Sequence, residues 1–248
     1  MTTMSLFGAT FIAFGPLIAM FIFTIVKDPL KVIIMIAGSF FWLLSLLLSS
    51  LLWVIVSPLQ DELAFAVIFS VIFQELFRLA YYKLLRKADD GMQQFTDVDQ
   101  DVISKNQTGY VAGVGFALMS STMSTVNILA DHSGPGTVGI NGDDELFLLT
   151  SAFFTCCFTL LHTFWGVIFF YGMDKKKYLM VVGVVVSHLA VSCLTLLNQY
   201  DPPMYMASLI PSYVIMVLMG TWAYYVAGGS FQNVLAFFTC KHGGYDFD

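Results

Sequence analysis

Charged residues are scarce in this sequence. They make up 11% of its 248 residues, whereas soluble domains contain about 25%. Hydrophobic residues make up 58% of the chain, and its mean hydropathy is +0.79. A soluble fold could not cover that much apolar surface, and a disordered chain would show the opposite bias. The composition therefore predicts an integral membrane protein.

Basic residues and cysteines are also few. Eleven Lys and Arg against 17 Asp and Glu give a net charge of −6, and no basic stripe is present to neutralise the phosphates of a nucleic acid. The four cysteines form no disulfide framework, because three lie in apolar runs and Cys240 is close to the C-terminus. We expect no nucleic-acid partner.

Long apolar runs are abundant, and each is close to the roughly 20 apolar residues that a helix needs to cross a bilayer. All are free of charge except the third, which is interrupted by Glu75 and Arg78. They predict an all-α membrane protein, a bundle of seven transmembrane helices. The predicted spans are about 5–26, 32–57, 63–85, 109–130, 146–173, 178–197 and 204–227. We assign residues 1–230 to the seven-helix transmembrane domain and residues 231–248 to a short cytoplasmic tail.

The distribution of Lys and Arg predicts the orientation. Ten of the eleven lie in or beside the first, third and fifth loops or in the tail, and Arg78 lies toward the same end of the third span. The N-terminus and the second, fourth and sixth loops carry none. By the positive-inside rule, the N-terminus is predicted to be lumenal or extracellular and the C-terminus cytoplasmic.

Four ionisable side chains lie within the predicted spans, where they are costly and suggest a function. Glu75 and Arg78 are three residues apart on one helix and are expected to form an ion pair. His162 and His188 lie on consecutive helices, each roughly ten residues or about 15 Å from the connecting turn, so they are level with each other. The histidines fit an interhelical hydrogen-bond cluster, a polar notch for a partner segment or, less well, a zinc site.

The fourth span carries small residues at every fourth position, namely Gly109, Gly113, Ala117 and Ser121. Such a ridge lets another helix backbone approach closely. Its spacing leaves open whether the partner helix is internal or belongs to another protein. At the outer end of this span, Asn127 and Asp131 fit either a helix terminus or a contact with an extracellular partner.

The sequence lacks the motifs that are typical of protease, zinc and phosphate-binding sites. An intramembrane aspartyl protease needs two facing aspartates at mid-membrane, whereas Asp131 is at the outer interface and no other Asp lies deep in a span. No H-E-x-x-H sequence and no glycine loop followed by Lys are present. We therefore expect no catalytic residue, no metal, no cofactor and no small-molecule substrate.

Several sequence motifs point to one family. They are Phe11-Ile-Ala-Phe-Gly-Pro16, Phe40-Phe-Trp-Leu-Leu-Ser45, Gln74-Glu-Leu-Phe-Arg78, Asn127-Ile-Leu-Ala-Asp131, Gly134-Pro-Gly136, Leu161-His-Thr-Phe-Trp-Gly166 and Ala227-Gly-Gly-Ser230. Together they resemble the anterior-pharynx-defective family, the seven-span subunit of γ-secretase. The resemblance covers essentially the whole chain.

The resemblance implies a non-catalytic scaffold that assembles in the lipid membrane with nicastrin, presenilin and presenilin enhancer. The family's complex cleaves single-span proteins such as Notch receptors and amyloid-precursor-like proteins, and it occurs in the endoplasmic reticulum, the Golgi and the plasma membrane. The family's functional positions include two intramembrane histidines, matched by His162 and His188. They also include a glycine ridge, matched at Gly113 but replaced here by Ala117 and Ser121.

Other functions fit parts of the pattern. Seven spans with the N-terminus outside also suit a receptor or a two-repeat carrier, but the loops are short and the two halves show no evident repeat. A more distant resemblance to glutamate-type intramembrane proteases would make Glu75 and the histidines an active site. However, Gln74 stands beside the only Glu there.

Overall fold

A computed structural model describes residues 3–56, 62–95, 104–133 and 146–238, and all regular secondary structure in these ranges is helical. The predicted all-α class is therefore confirmed. The helices are α1 (Thr3–Met20, continued by π-helical Phe21–Ile25), α2 (Pro29–Ile55), α3 (Leu63–Phe95), α4 (Lys105–Ser133), α5 (Phe147–Asp174), α6 (Tyr178–Leu194, continued by 3₁₀-helical Thr195–Gln199), α7 (Tyr205–Val226) and α8 (Phe231–Phe238).

Seven of these helices are long, and six of them are long and apolar enough to cross a membrane. The exception within the described residues is α4, which contains many small and hydroxyl-bearing side chains. It packs against α5 and α2, and all its side chains from Val111 to Ala117 are buried. The part of α4 that other helices enclose does not need an apolar surface toward lipid, which explains why its hydropathy is low.

The outward faces of the other helices are strongly apolar. Phe23 is 80% exposed, Leu179 is 86% exposed and Val217 is 60% exposed. In water such side chains would form large apolar patches that promote aggregation. In a bilayer they contact acyl chains, which are equally apolar. The chain is an integral membrane protein, and its orientation stays a prediction.

Several helix ends differ from the predicted spans, and the end of α3 differs most. Helix α3 continues ten residues beyond position 85, because charged helix formers such as Arg86 and Lys87 prolong a helix after it leaves the apolar layer. Hydropathy detects only the apolar part. Helix α6 ends at Leu194 and tightens into the 3₁₀ turn. The predicted tail begins with α8, and residues 239–248, including Cys240, lie outside the described ranges.

Helix α5 lies at the centre of the bundle. It contacts α1, α4, α6 and α7, and 17 of its 28 residues are buried. A tight turn reverses the chain into α6: Lys176 has a positive φ of 55°, the N–H of Lys177 donates to the Gly172 carbonyl at 2.7 Å, and the N–H of Lys176 donates to the Met173 carbonyl at 3.1 Å. This turn sets α6 antiparallel beside α5.

Candidate functional site

Three helices bring the four predicted ionisable residues together. Helix α3 carries Glu75 and Arg78 one turn apart, α5 carries His162, and α6 carries His188. All four side chains are buried, and none is more than 6% exposed. We call these four residues the charge cluster.

One carboxylate oxygen and one guanidinium nitrogen connect the charge cluster. Arg78 Nη2 lies 3.2 Å from Glu75 Oε1 and 3.1 Å from His162 Nδ1. His188 Nδ1 lies 2.7 Å from the same Glu75 oxygen. The two imidazole rings meet edge to face with their centroids 5.3 Å apart.

The chemistry of the partners fixes the proton positions on the rings. A guanidinium only donates hydrogen bonds, so His162 Nδ1 accepts and its neutral ring carries the proton on Nε2. The Glu75 carboxylate accepts, so His188 Nδ1 donates to it. The contacts therefore run from α5 through Arg78 and Glu75 on α3 to α6, and they cross-link three helices.

Aromatic side chains enclose the charge cluster. Trp165 stacks on the His188 ring with centroids 4.2 Å apart, and its indole N–H donates to Ser187 Oγ at 2.9 Å. The Arg78 guanidinium carbon lies 5.0 Å from the centroid of the Phe116 ring, a cation–π contact. Neither aromatic residue was predicted from the sequence, although Trp165 lies one turn after His162 and on the same side of the helix.

Some polar atoms of the charge cluster lack a hydrogen-bond partner among the described residues. Within the part of the chain that the structure describes, Glu75 Oε2 and the Nε and Nη1 atoms of Arg78 have no hydrogen-bond partner. In the same residues, no three His, Cys, Asp or Glu side chains are grouped to hold a metal ion. The arrangement is chemically an ion pair extended by two imidazoles.

The small-residue ridge of α4 packs inside the bundle. A Cβ atom added at Gly113 would lie 2.8 Å from the His162 carbonyl oxygen, and one added at Gly166 on α5 would lie 2.7 Å from the Gly113 Cα. One added at Gly109 would lie 3.1 Å from the Gly166 carbonyl oxygen. The backbones of α4 and α5 therefore cross in direct contact, beside the residue that α5 contributes to the charge cluster.

The two positions where the ridge departs from glycine are also internal. Ala117 is fully buried, and Ser121 is 1% exposed. The Ser121 hydroxyl lies 2.6 Å from the Thr159 hydroxyl on α5, and the Ser124 hydroxyl lies 3.3 Å from that of Thr155. Away from the glycine crossing, hydrogen bonds between hydroxyls hold the two helices together.

Asn127 and Asp131 lie in the last turns of α4, but their side chains are outside the described residues, as are residues 134–145. The structure does not bring these two positions into the charge cluster. Their predicted contact with an extracellular partner stays a prediction.

Comparison with known proteins identifies the family. Residues 4–230 match the model of one family, described as Aph-1 protein. The chain belongs to the Aph-1 family. The match includes all seven long helices and ends in the turn before α8.

Relatives of similar length carry the same family name. The chain is 49% identical to "Gamma-secretase subunit Aph-1b" of Danio rerio and 48% identical to "Gamma-secretase subunit APH-1B" of Mus musculus, in each case over 97% of this chain and 95% of the relative. It is 47% identical to "Gamma-secretase subunit Aph-1" of Drosophila melanogaster, over 97% of this chain and all of the relative. The family resemblance of the motifs is confirmed.

Proposed function

We infer that this Aph-1 chain is a subunit of the γ-secretase complex. The observation that carries the inference is near full-length identity of 47–49% to relatives with that name, over the region that forms the helix bundle. At that level of sequence identity, both the packed core of the subunit and the surfaces that contact other subunits are retained.

We propose that the subunit is a scaffold and performs no proteolysis itself. Two features of the charge cluster support this. Glu75 is bound to Arg78 and His188 instead of facing a second carboxylate, and the cluster cross-links helices as a packing element does. The enzyme alternative would require Glu75 to activate water, and one of its two oxygens is already engaged by two donors.

The partners follow from the family resemblance. The scaffold assembles with presenilin, which holds the catalytic aspartates, with nicastrin and with presenilin enhancer, in the endoplasmic reticulum, the Golgi and the plasma membrane. Substrates are single-span proteins such as Notch receptors and amyloid-precursor-like proteins. The predicted lumenal end of α4, at Asn127 and Asp131, contributes to the contacts with the partner subunits.

The charge cluster and the α4 ridge serve assembly indirectly in this proposal. The ridge holds α4 against α5, and the cluster holds α3 and α6 against α5. Together they fix the relative positions of the helices whose outer faces meet the partners. His162 and His188 thereby contribute to the shape of the subunit.

Complementation tests the proposal. The chain is expressed in cells that lack their own Aph-1 proteins, and cleavage of a Notch-type substrate is measured in membranes. We expect cleavage to return and to disappear with an inhibitor directed at the presenilin aspartates. Cleavage that persists under that inhibitor but is lost in Glu75→Gln would favour the enzyme alternative. Absence of cleavage despite full-length chain in the membrane would contradict the proposed function.

A further inference from the structure

The turn between α5 and α6 carries three consecutive lysines, Lys175, Lys176 and Lys177, which we call the lysine turn. All three side chains are exposed. Among the described residues no carboxylate forms an ion pair with any of them, and the carboxylate of Asp174, directly before them, is bound to Arg86 at 2.7 Å. The described part of the chain therefore supplies no counter-ion to these three positive charges.

The backbone of the lysine turn favours a residue other than lysine at its centre. Lys176 has a φ of 55°, in the left-handed region, and the residue that ends a helix in this conformation is usually glycine or asparagine. The turn is closed by backbone hydrogen bonds, from the N–H of Lys177 to the Gly172 carbonyl and from that of Lys176 to the Met173 carbonyl. Folding alone gives no reason for a lysine here, and a residue held in a disfavoured conformation suggests a function.

Apolar side chains follow the lysine turn directly. Tyr178 is 60% exposed and Leu179 is 86% exposed, and they are the first residues of the apolar helix α6. Lys177 Nζ lies 5.9 Å from the centroid of the Tyr171 ring, a contact with a neutral group that leaves the positive charge uncompensated. The lysines thus lie at the boundary where the polar surface of the bundle meets its apolar surface.

Helix α3 adds further positive charge at the same level. Tyr82 and Arg86 both contact Asp174, so this part of α3 lies beside the lysine turn. Lys83 and Lys87 flank these contacts in the sequence, and both are exposed. Basic side chains outnumber acidic ones at this end of the bundle by six to three, namely Lys83, Arg86, Lys87, Lys175, Lys176 and Lys177 against Asp89, Asp90 and Asp174.

We propose that the lysine turn binds the headgroups of anionic phospholipids on the predicted cytoplasmic side of the membrane. Lysine clusters directly beside a membrane span attract the anionic lipids that are concentrated in the cytoplasmic leaflet. The three ammonium groups bind the phosphate and carboxylate oxygens of the headgroups. Tyr178 and Leu179 contact the upper part of the acyl chains, as aromatic and apolar residues do at a membrane interface. This lipid site does not depend on assembly with other subunits.

Native mass spectrometry of the full-length chain in a mild detergent tests the proposal. The probes are phosphatidylserine and phosphatidylcholine with identical acyl chains. Each lysine near an anionic membrane surface contributes about a fivefold gain in affinity. We therefore expect Lys175→Gln combined with Lys177→Gln to weaken the binding of phosphatidylserine about tenfold or more and to leave that of phosphatidylcholine unchanged.

A matched control separates the lysine turn from the total charge of the protein. Lys27→Gln combined with Lys31→Gln removes the same charge from the turn between α1 and α2, on the same predicted side of the membrane. Asp28 already pairs with Lys31 at 3.7 Å there. We expect this control to weaken phosphatidylserine binding much less than the variant of the lysine turn.

Lys176→Gly separates lipid binding from stability. Lysines at the end of a helix also interact favourably with its dipole, which would be a purely structural role. Glycine removes the charge but suits the left-handed backbone, so we expect the temperature of thermal unfolding to be retained or raised. Binding of phosphatidylserine should nevertheless weaken about fivefold.

Three results would overturn the proposal. One is equal binding of phosphatidylserine by the variant of the lysine turn and by its control. Another is a lysine-turn variant that unfolds at lower temperature but binds phosphatidylserine as the original chain does, because the lysines would then act on the helix alone. The third is equally tight binding of glycerophosphoserine, the headgroup without acyl chains, which would indicate a site for free anions.

Discussion

Arg78 takes part in two of the three polar contacts that connect the charge cluster. Its guanidinium pairs with Glu75, donates to His162 and lies against Phe116. Replacing it leaves the Glu75 carboxylate at mid-membrane without its cation. Breaking a buried pair in this way is far more costly than removing both charges together.

A double-mutant cycle measures this dependence. We expect Arg78→Met to destabilise the folded chain by about 3–5 kcal/mol, because an uncompensated buried charge remains. The variant that combines Arg78→Met with Glu75→Gln should recover much of that loss. Thermal unfolding of the purified proteins in one detergent gives the comparison. A double variant at least as unstable as Arg78→Met would contradict a coupled ion pair.

Ser121 belongs to the small-residue ridge of α4, and its hydroxyl lies 2.6 Å from that of Thr159 on α5. We expect Ser121→Ala to cost about 0.5–1.5 kcal/mol, the range for hydrogen bonds between membrane helices. Thr122→Ala is the matched control, because the Thr122 hydroxyl donates to Leu118 of its own helix. Equal losses of thermal stability in the two variants would mean that the contact between α4 and α5 contributes nothing.

Sequence spacing predicted part of the charge cluster. The separation of three residues brought Glu75 and Arg78 onto one face of a helix, and equal distances from a turn placed His162 level with His188. That α3 lies against both α5 and α6 could not be predicted, because hydropathy identifies spans and not their neighbours in a bundle. The enclosure by Trp165 and Phe116 was missed for the same reason.

At the scale of helices, α4 and α5 cross with their backbones in direct contact. Gly113 on one helix and Gly166 on the other leave no room for a side chain. The sequence predicted the ridge but left its partner open. The structure shows that Gly109 and Gly113 of α4 face α5. A substitution at either glycine therefore affects other subunits by changing the shape of this subunit.

Gly113→Leu tests the crossing. The leucine would collide with the backbone of α5 at His162, so we expect the chain to insert normally but to recover much less of its partner subunits. Gly8→Leu is the matched control, because Gly8 is exposed and has no atom within 4 Å of an added Cβ. Recovery of partners with Gly113→Leu equal to that with Gly8→Leu would remove the role assigned to the ridge.

The extension of α3 beyond the apolar layer is held by a clamp to the end of α5. Arg86 contacts both carboxylate oxygens of Asp174, at 2.9 Å from Nε and 2.7 Å from Nη2, and the Tyr82 hydroxyl donates to Asp174 at 2.8 Å. Hydropathy could not predict this part of α3, since its helix is stabilised by charged contacts. The clamp ties this part of α3 to the turn between α5 and α6.

Asp174→Asn weakens the clamp by removing its charge. We expect a loss of about 1 kcal/mol, the upper range for ion pairs that solvent reaches. Hydrogen exchange at the amides of residues 86–91 should become about fivefold faster, since that factor corresponds to the same free energy. Asp89→Asn is the control, because Asp89 pairs with Arg86 within α3 alone. Identical exchange in the two variants would contradict a clamp between helices.

At the scale of the whole molecule, the charge cluster lies inside an apolar core, and the outward faces of the helices are apolar as well. The centre holds α5 with its charge cluster partners and the buried α4, while the faces of the outer helices meet lipid. Composition predicted the membrane location and the helix number. It could not predict which helix would be central, because the hydropathy of α5 lies within the range of α1, α6 and α7 and only its contacts distinguish it.

The central claim is that this molecule functions as one part of a larger membrane complex. The most direct test is purification of the tagged full-length chain in a mild detergent, followed by mass spectrometry of the proteins that co-purify. We predict stoichiometric presenilin, nicastrin and presenilin enhancer. A chain that purifies alone, folded and monodisperse, from membranes that contain all three partners would contradict the account.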